Sequence, residues 1–315
     1  MSRVVVAGGA GFLGSHLCDR LLERGDAVVC LDDLSTGSKE NVAHLLDHER
    51  FDLIVTNVSE HVVLGDSSRV DAVCNLASPA SPPAYLARPF DTLAVGSEGT
   101  RRLLELARAH GARFLMASTS EIYGDPEVHP QVESYRGNVD PTGPRSVYDE
   151  AKRFAESLTM AMHRTQGVNV GIARIFNTYG PRLSPGDGRV VSNFIVQALR
   201  GEPLTVYGDG SQTRSLCFVD DEILGLLALL DSSLTGPVNI GNPDERTVAD
   251  LAHFVLEMTG STSGIVFEPL PTDDPTRRCP DITLARTELG WEPTTGLQEG
   301  IRQTIDYFAE KVKGP

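Results

Sequence analysis

The first half of the chain alternates short apolar runs with segments in which apolar residues recur at helical spacing. The apolar, β-branched runs occupy residues 3–7, 27–31, 51–56, 72–76, 113–117 and 168–176. They are nearly continuous rather than alternating, which is typical of parallel strands that are buried on both faces. Helical spacing lies between them, at residues 12–24, 92–110 and 147–165. Repeated strand–helix units of this kind predict an α/β protein with a doubly wound parallel sheet.

The pattern changes after residue 177, where Gly and Pro interrupt shorter elements. Helical spacing continues at residues 190–200, 221–231, 248–259 and 297–311, and short strands are predicted at 204–207, 215–219 and 238–240. We therefore predict two domains, residues 1–177 and residues 178–315, of which the second is a smaller mixed α/β substrate-binding lobe. Because no low-complexity linker separates the two, we expect them to exchange segments and to form a cleft.

Composition narrows the possible partners. The 315 residues carry a net charge of -15, which repels a phosphate backbone, so nucleic acid is not an expected partner. No apolar run is long enough to cross a membrane, and the N-terminus leads directly into a strand rather than a secretory signal. The five cysteines are scattered, which favours reduced thiols and a cytoplasmic setting, and the histidine spacing gives no support for a metal site.

A glycine-rich turn follows the first predicted strand and opens the first predicted helix. Its sequence, GGAGFLG, places Gly8, Gly11 and Gly14 at the spacing of a dinucleotide fingerprint. The second predicted strand ends at Asp32, with Asp33 beside it, and a carboxylate there accepts hydrogen bonds from ribose hydroxyls and repels a 2′-phosphate. The first half thus predicts a Rossmann-type sheet that binds NAD rather than NADP.

A tyrosine and a lysine four residues apart are the candidate catalytic pair. Tyr148 and Lys152 fall on one face of a predicted helix, and an ammonium group near a phenol favours the phenolate. Such a tyrosine can take a proton from a sugar hydroxyl while hydride leaves the same carbon. Thr119 stands at the end of the fifth strand, where it could share that proton. The alternative is an exposed tyrosine beside a solvated lysine, with hydroxyls that only cap a strand.

These motifs together resemble the extended short-chain dehydrogenases/reductases. Longer stretches are similar to one family among them, the UDP-glucuronate decarboxylases, which make UDP-xylose. They are LASPASPP at 76–83, STSEIYGDPEVHPQ at 118–131, ARIFNTYGPR at 173–182, DGRVVSNFI at 187–195 and the segment 203–214. The resemblance implies NAD as cofactor and a UDP-sugar as substrate, and it adds cofactor-binding positions to those of the glycine turn. The implied cofactor-binding residues are Gly8, Gly11, Phe12, Leu13, Gly14, Asp32, Asp33, Leu76, Ala77, Ser78, Tyr148 and Lys152.

The substrate site is implied partly by arginines. Arginine binds phosphate and carboxylate in a bidentate fork, and five arginines lie beyond residue 181 near glycine-rich turns, which are Arg182, Arg189, Arg214, Arg277 and Arg278. The alternative is that most of them are surface arginines paired with acids such as Asp187. With the resemblance, the implied substrate-binding residues are Pro83, Tyr85, Asn177, Arg182, Arg189, Val190, Tyr207, Gln212, Arg214 and Arg278.

The resemblance also implies a redox-neutral cycle, in which oxidation at sugar C4 permits loss of the C5 carboxylate before C4 is reduced again. The implied catalytic residues are Thr119, Ser120, Glu121, Tyr148, Lys152 and Arg278. Sugar 4,6-dehydratases typically carry Asp-Glu where this chain has Ser120-Glu121, and 4-epimerases typically lack the glutamate. An epimerase, a dehydratase, a decarboxylase that releases the 4-keto sugar and a non-catalytic dinucleotide-binding protein remain alternatives. Cys279 departs from the family, which commonly has lysine there.

The two helical segments at 92–110 and 147–165 have apolar spacing that would suit pairing with a second copy of the chain. The resemblance implies a homodimer through this four-helix contact.

Overall fold

The computed structural model describes residues 1–64, 68–270 and 276–312. Its strands are β1 (Arg3–Ala7), β2 (Ala27–Asp32), β3 (Phe51–Val55), β4 (Ala72–Asn75), β5 (Arg113–Thr119), β6 (Val170–Ile175), β7 (Thr178–Tyr179), β8 (Leu204–Tyr207), β9 (Thr213–Ser215), β10 (Cys217–Phe218), β11 (Val238–Ile240), β12 (Glu245–Thr247) and β13 (Ile265–Glu268).

The α-helices are α1 (Phe12–Glu23), α2 (Pro82–Ala87), α3 (Pro89–Ala94), α4 (Thr100–His110), α5 (Ser146–Gln166), α6 (Val190–Arg200), α7 (Val219–Asp231), α8 (Val248–Thr259), α9 (Thr283–Leu289) and α10 (Leu297–Val312). Two 3₁₀ turns span Lys39–Leu45 and Ser120–Tyr123, and a π-helical turn at Val95–Gly99 joins α3 to α4.

One parallel sheet of seven strands organises the molecule, in the order β11-β6-β5-β4-β1-β2-β3. The predicted doubly wound parallel fold is therefore confirmed. The strand order reverses between β1 and β4, and ligands of such sheets bind in the crevice at the carboxyl ends of the strands next to this reversal. The glycine turn follows β1, Asp32 ends β2 and Thr119 ends β5, so all three lie at this edge.

Apolar cores cover both faces of the sheet, which explains why its strands lack polar alternation. On one face, Val4 and Val6 of β1 pack with residues of α1 and α7. On the other face, Val5 packs with Leu103 of α4 and Ala155 of α5. Helices α4 and α5 thus hold one side of the ligand edge, while α1 holds the other.

The later part of the chain builds a smaller mixed layer. Its strands form three two-stranded pairs, β10 with β7, β12 with β9 and β13 with β8. Strand β11 instead pairs in parallel with β6 at the edge of the main sheet. A segment from beyond residue 177 therefore belongs to the large sheet.

The predicted strand at 215–219 is confirmed in part, because Ser215, Cys217 and Phe218 lie in strands but not in one continuous strand. Thr213–Ser215 pairs antiparallel with β12, Cys217–Phe218 pairs in parallel with β7, and Val219 already begins α7. Two short strands with different partners therefore replace the single predicted strand. The predicted helix at 92–110 corresponds to α3, the π-helical turn and α4. This helical segment begins at Pro89, three residues before the predicted start. The short helices α2 and α9 were not predicted.

Among the helices that the structure describes, none combines the length and apolar character needed to span a bilayer. All five cysteines are free and buried, as the sequence predicts.

Candidate active site

Two glycines of the turn, Gly8 and Gly14, leave no room for a side chain. Gly8 has φ of 76°, and a Cβ there would lie 2.7 Å from the Ala77 backbone nitrogen. A Cβ on Gly14 would overlap the Gly8 carbonyl oxygen, so α1 can approach the turn only with glycine at this position. Gly11 caps α1 without a side-chain hydrogen bond, which leaves the N–H groups of the first helical turn available to an anion. This cradle fits a pyrophosphate.

Asp32 organises the turn. Its carboxylate accepts hydrogen bonds from the backbone N–H groups of Ala10 at 2.9 Å and Leu34 at 2.8 Å. Burial raises the pKa of Asp32, whereas these two hydrogen bonds lower it. Asp33 beside it is exposed and accepts from the Ser35 N–H at 2.9 Å. Both carboxylates line one cavity with the glycine turn, which is the arrangement that an adenosine ribose requires.

This cavity brings together most of the predicted cofactor-binding residues. Gly8, Gly11, Asp32, Asp33, Leu76, Ala77 and Ser78 all line it. Phe12, Leu13 and Gly14 are not among its lining residues and lie instead in the first turn of α1, half-buried or buried. The cavity is also lined by four residues that follow β3 and that the sequence did not predict, which are Thr56, Asn57, Val58 and Ser59. The rule that ligands lie at the carboxyl ends of parallel strands would have found them.

Tyr148 and Lys152 lie on the buried face of α5 beneath the carboxyl end of β5. The Lys152 Nζ donates to the Ala117 carbonyl oxygen at 2.8 Å and stands 5.9 Å from the centre of the Tyr148 ring. Burial lowers the pKa of Lys152 to about 8. Burial also raises the pKa of Tyr148 to about 12, while hydrogen bonding with Thr119 acts in the opposite direction. The pair is thus buried, and the exposed alternative is excluded.

A second tyrosine covers the first. The rings of Tyr85 and Tyr148 stack with centroids 5.1 Å apart and planes at 7°. The Tyr85 hydroxyl is buried and has no hydrogen-bond partner among the residues that the structure describes. A buried hydroxyl without a partner is unfavourable unless a ligand satisfies it. Tyr85 is therefore well placed to bind substrate. Pro83, two residues earlier on α2, packs against Gly188, where an added Cβ would lie 2.7 Å from the proline Cγ.

Glu121 is held between two guanidinium groups. Its Oε2 lies 2.6 Å from the Arg145 Nη2 and 3.3 Å from the Arg278 Nη2. Although burial alone would raise its pKa, the charges of Arg278 and Arg145 hold the pKa of Glu121 at about 2. Arg278 itself is 1% exposed, and its Nη1 donates to the Ser120 carbonyl oxygen at 2.7 Å. The site therefore contains one ionised carboxylate and a buried guanidinium, both next to Thr119.

The remaining predicted arginines divide between the site and ordinary ion pairs. Arg182 has φ of 66° and pairs with Asp19 of α1 at 2.7 Å, as the ion-pair alternative predicts. Arg189 also pairs with an acid, since its Nη2 lies 2.8 Å from Asp187, yet its charge acts on both Tyr148 and Glu121. The charge of Arg214 on β9 acts on Glu121 as well. Arg277 is exposed.

The other predicted substrate-binding residues are spread over elements of the later part of the chain. Asn177 lies between β6 and β7, and Val190 begins α6. Tyr207 ends β8, is 41% exposed, and its carbonyl oxygen accepts from the Gln212 side chain. Their substrate-binding roles stay predictions.

Cys279 is buried as a neutral thiol, because burial raises its pKa. Its backbone N–H donates to the Gln131 side chain at 2.9 Å, which fixes the chain next to Arg278. Cysteine in place of the family's usual lysine thus removes a positive charge, while the hydrogen bond to Gln131 still fixes the backbone next to Arg278.

Sequence reasoning missed two further residues at the centre. Arg145 and Asp149 stand one helical turn apart at the start of α5 and line one cavity with Glu121. The sequence shows that the two residues are four positions apart on one helix face. It does not show that this face lies toward Glu121.

Comparison with known proteins agrees with this geometry. The NAD dependent epimerase/dehydratase family matches residues 4–241. The chain is 53% identical over 312 residues to UDP-glucuronic acid decarboxylase 2 of Arabidopsis thaliana, covering 99% of this chain and 69% of the relative. It is 50% identical over 311 residues to UDP-glucuronic acid decarboxylase 1 of Danio rerio, covering 99% and 73%. The crystal structure of UDP-glucose 4-epimerase from Thermotoga maritima, 30% identical, superposes with a TM-score of 0.88 over 99% of this chain and 100% of that one.

The chain therefore belongs to the NAD dependent epimerase/dehydratase family of extended short-chain dehydrogenases/reductases. Within that family its similarity is greater to the UDP-glucuronic acid decarboxylases than to the epimerase.

Proposed function

We propose that this protein is an NAD-dependent UDP-glucuronate decarboxylase that produces UDP-xylose. The observation that carries the proposal is the Arg145–Glu121–Arg278 cluster next to Thr119 and Tyr148. The proposed substrate differs from a neutral UDP-sugar by a carboxylate on C5. A buried guanidinium beside the reacting ring is what recognition of that carboxylate requires.

Tyr148 is the proposed base for the sugar O4 hydroxyl. Its phenol lies next to Thr119, which can accept and return the same proton, and Lys152 is fixed by the Ala117 carbonyl at hydrogen-bonding distance. The glycine turn and Asp32 would hold NAD, which would supply reversible hydride acceptance from C4 and a positive ring that would favour the Tyr148 phenolate. The resulting C4 ketone is β to the carboxylate, so carbon dioxide can leave while the carbonyl takes up the electron pair.

Glu121 and Arg278 are the proposed positioning groups for the sugar. Arg278 already donates one N–H to the Ser120 carbonyl and shares Glu121 with Arg145, so its planar fork is preorganised. Because the pKa of Glu121 is about 2, the residue is ionised at neutral pH and cannot hold a proton before the reaction begins. Its role is therefore to accept hydrogen bonds from the ring hydroxyls and to orient solvent.

The cofactor-binding and substrate-binding assignments extend this proposal to the cleft. We propose residues 1–177 as the NAD-binding domain and residues 178–315 as the UDP-sugar-binding domain. Both contribute strands to the large sheet, since β11 pairs with β6. A cytoplasmic setting is proposed because the cysteines are free and buried.

A homodimer is part of the proposal. The α3–α5 face exposes large apolar side chains, with Phe90 at 82% and Phe154 at 52%. Exposed aromatic groups on adjacent helices mark a surface that association would bury. A second copy of the same face is the proposed occupant, in the four-helix arrangement that the resemblance implies.

Incubation of the purified protein with UDP-glucuronate and NAD tests the proposal directly. We expect release of carbon dioxide together with a UDP-pentose, in equal amounts and with no net change in NADH. UDP-glucose and a dTDP-hexose serve as matched substrates, since both lack the carboxylate. Turnover of either one without decarboxylation of UDP-glucuronate would contradict the proposal and favour an epimerase or a dehydratase. A 4-keto pentose accompanied by NADH would indicate that the ketone is released before reduction.

A further inference from the structure

The proposed reaction consumes one proton for every turnover. The proton that leaves O4 returns there, and the hydride that leaves C4 returns there as well. Loss of carbon dioxide breaks the bond from C5 to the carboxylate carbon, and C5 must then form a bond to a new proton. The protein therefore has to bring a proton from solvent to a buried ring carbon, in a site whose nearest acid candidate, Glu121, is ionised.

A separate cavity adjoins Glu121 on the side of the N-terminus of α5. It has a volume of about 230 Å³, which is room for several water molecules. Its mouth is formed by exposed residues that include Asp125, Asn138 and Asp140. Its inner wall is formed by Glu121, Arg145 and Asp149, so it leads from solvent to the reacting centre.

Asp149 is the unexplained group in this cavity. The side chain is 6% exposed, and its Oδ1 is buried without a hydrogen-bond partner among the described residues. A buried carboxylate with a free oxygen is unfavourable, whereas a protonated carboxyl group carries no net charge. The residue directly follows Tyr148, yet it lines a cavity that Tyr148 does not line.

From this geometry we propose that Asp149 is the proton donor for C5, acting through the solvent of the cavity that it shares with Glu121. The inference rests on the proposed decarboxylase function. In the step, the electron pair left by carbon dioxide forms the new bond from C5 to a solvent proton. The Asp149 carboxyl group replaces that proton, and solvent at the cavity mouth then protonates Asp149 again. Glu121 and Arg145 orient the solvent between the two.

The electrostatic surroundings favour the protonated form of Asp149 when C5 takes up its proton. Burial raises its pKa to about 7, and the negative charges of Glu121 and Glu150 act in the same direction. The positive charges of Arg145 and Arg278 oppose them. The carboxylate of an arriving substrate adds another negative charge near Arg278, so it would raise the pKa further. The groups that face Asp149 also include Tyr85 and Tyr148, both neutral, and the cavity is lined in addition by Asp125 and Asp140.

The test compares Asp149→Asn with wild type in the full-length enzyme supplied with NAD and UDP-glucuronate. If Asp149 must be protonated, wild-type kcat falls about tenfold for each pH unit above the pKa of this group. In Asp149→Asn we expect kcat to drop roughly a hundredfold near neutral pH and this decline to disappear. We also expect NADH to accumulate, because C4 cannot be reduced until C5 is protonated. NADH is followed by its near-ultraviolet absorbance.

Glu150→Gln is the matched control, since Glu150 is the next residue on α5 and has a partly exposed side chain. It should match wild type in NADH level and in kcat below the decline, and it should keep the decline itself, moved slightly to lower pH because the Glu150 charge near Asp149 is lost. Asp149→Glu retains a titrating carboxyl group and should restore the decline at high pH, even where Asp149→Asn folds poorly.

Three results would overturn the inference. The first is an Asp149→Asn variant with the same kcat as wild type. The second is a slow Asp149→Asn variant whose kcat still declines at high pH and that accumulates no NADH. The third is a wild-type enzyme whose kcat stays level from about pH 6 to about pH 9. Failure of the wild type to release carbon dioxide would instead refute the decarboxylase function itself, so the two failures are distinguishable.

Discussion

The ionisation of Tyr148 is governed by burial rather than by its lysine neighbour. Spacing on the helix predicts that the Lys152 ammonium would favour the phenolate. In the structure Lys152 points to the Ala117 carbonyl, and the pKa of Tyr148 is raised to about 12. The protein's own groups therefore keep the phenol protonated in the absence of ligands. Deprotonation must be coupled to the binding of NAD and substrate, which confines the basic form to the loaded site.

Replacement of Tyr148 by Phe should abolish turnover while leaving NAD binding intact. The change removes only the hydroxyl, so the stacking on Tyr85 at 5.1 Å is retained. Loss of a general base lowers kcat by about 10²- to 10⁴-fold. Turnover is measured as carbon dioxide release, and NAD binding by calorimetric titration. Tyr307→Phe on α10 is the matched control and should behave like wild type. A Tyr148→Phe enzyme with near-normal kcat would refute the assignment of the base.

Residue types and spacing were enough to predict Thr119, Tyr148, Lys152 and the glycine turn. They were not enough for Arg145 or Asp149, because their partner Glu121 lies 24 residues from Arg145 in a separate 3₁₀ turn. A charged residue reveals its role only when the opposite wall of its site is known. The structure pairs Arg182 with Asp19, and its assignment to substrate stays a prediction.

At the scale of elements, the position of α1 depends on its contact with the turn after β1, which the apolar spacing of the helix does not predict. Its first turn lies so close to the β1 turn that a Cβ on Gly14 would be 2.7 Å from the Gly9 Cα. This closeness places the free N–H groups of the helix at the cofactor cavity. Strand boundaries were less predictable, since the stretch from Thr213 to Phe218 divides between two pairing partners from different parts of the chain.

Gly14→Ala should therefore weaken NAD binding and lower stability. The added methyl group forces α1 away from the Gly8 carbonyl, and such overpacking costs roughly 1–3 kcal/mol. We expect the Kd for NAD to rise about tenfold or more, which corresponds to at least about 1.4 kcal/mol. Thermal unfolding and NAD titration measure the two effects. Gly264→Ala is the control, because a Cβ there meets no atom within 4 Å. Equal NAD affinity in Gly14→Ala and wild type would contradict this account of the turn.

At the scale of the whole molecule, the sheet joins the two halves of the chain. The sequence pattern predicts both the parallel strands and the change of texture after residue 177. The pattern does not predict which strand Val238–Ile240 pairs with. In the structure this strand, β11, pairs with β6 and forms the edge of the sheet opposite β3. Pairing between distant segments depends on how all the layers pack, so it lies beyond what local periodicity can predict. The proposed division at residues 177 and 178 is thus one of sequence, and the sheet crosses it.

The surface of α3 and α5 that exposes Phe90 and Phe154 is the proposed dimer contact, and its role can be decided by the size of the particle in solution. If two copies pair through this face, Phe154→Glu places a charge in an apolar contact and should convert the dimer into monomers. Sedimentation velocity measures the change. Phe267→Glu is the matched control, because Phe267 is 60% exposed on β13 and lies outside the face. Dimers that persist in Phe154→Glu but dissociate in Phe267→Glu would move the interface to the β13 side of the molecule. Wild type that sediments as a monomer would remove the dimer from the proposal.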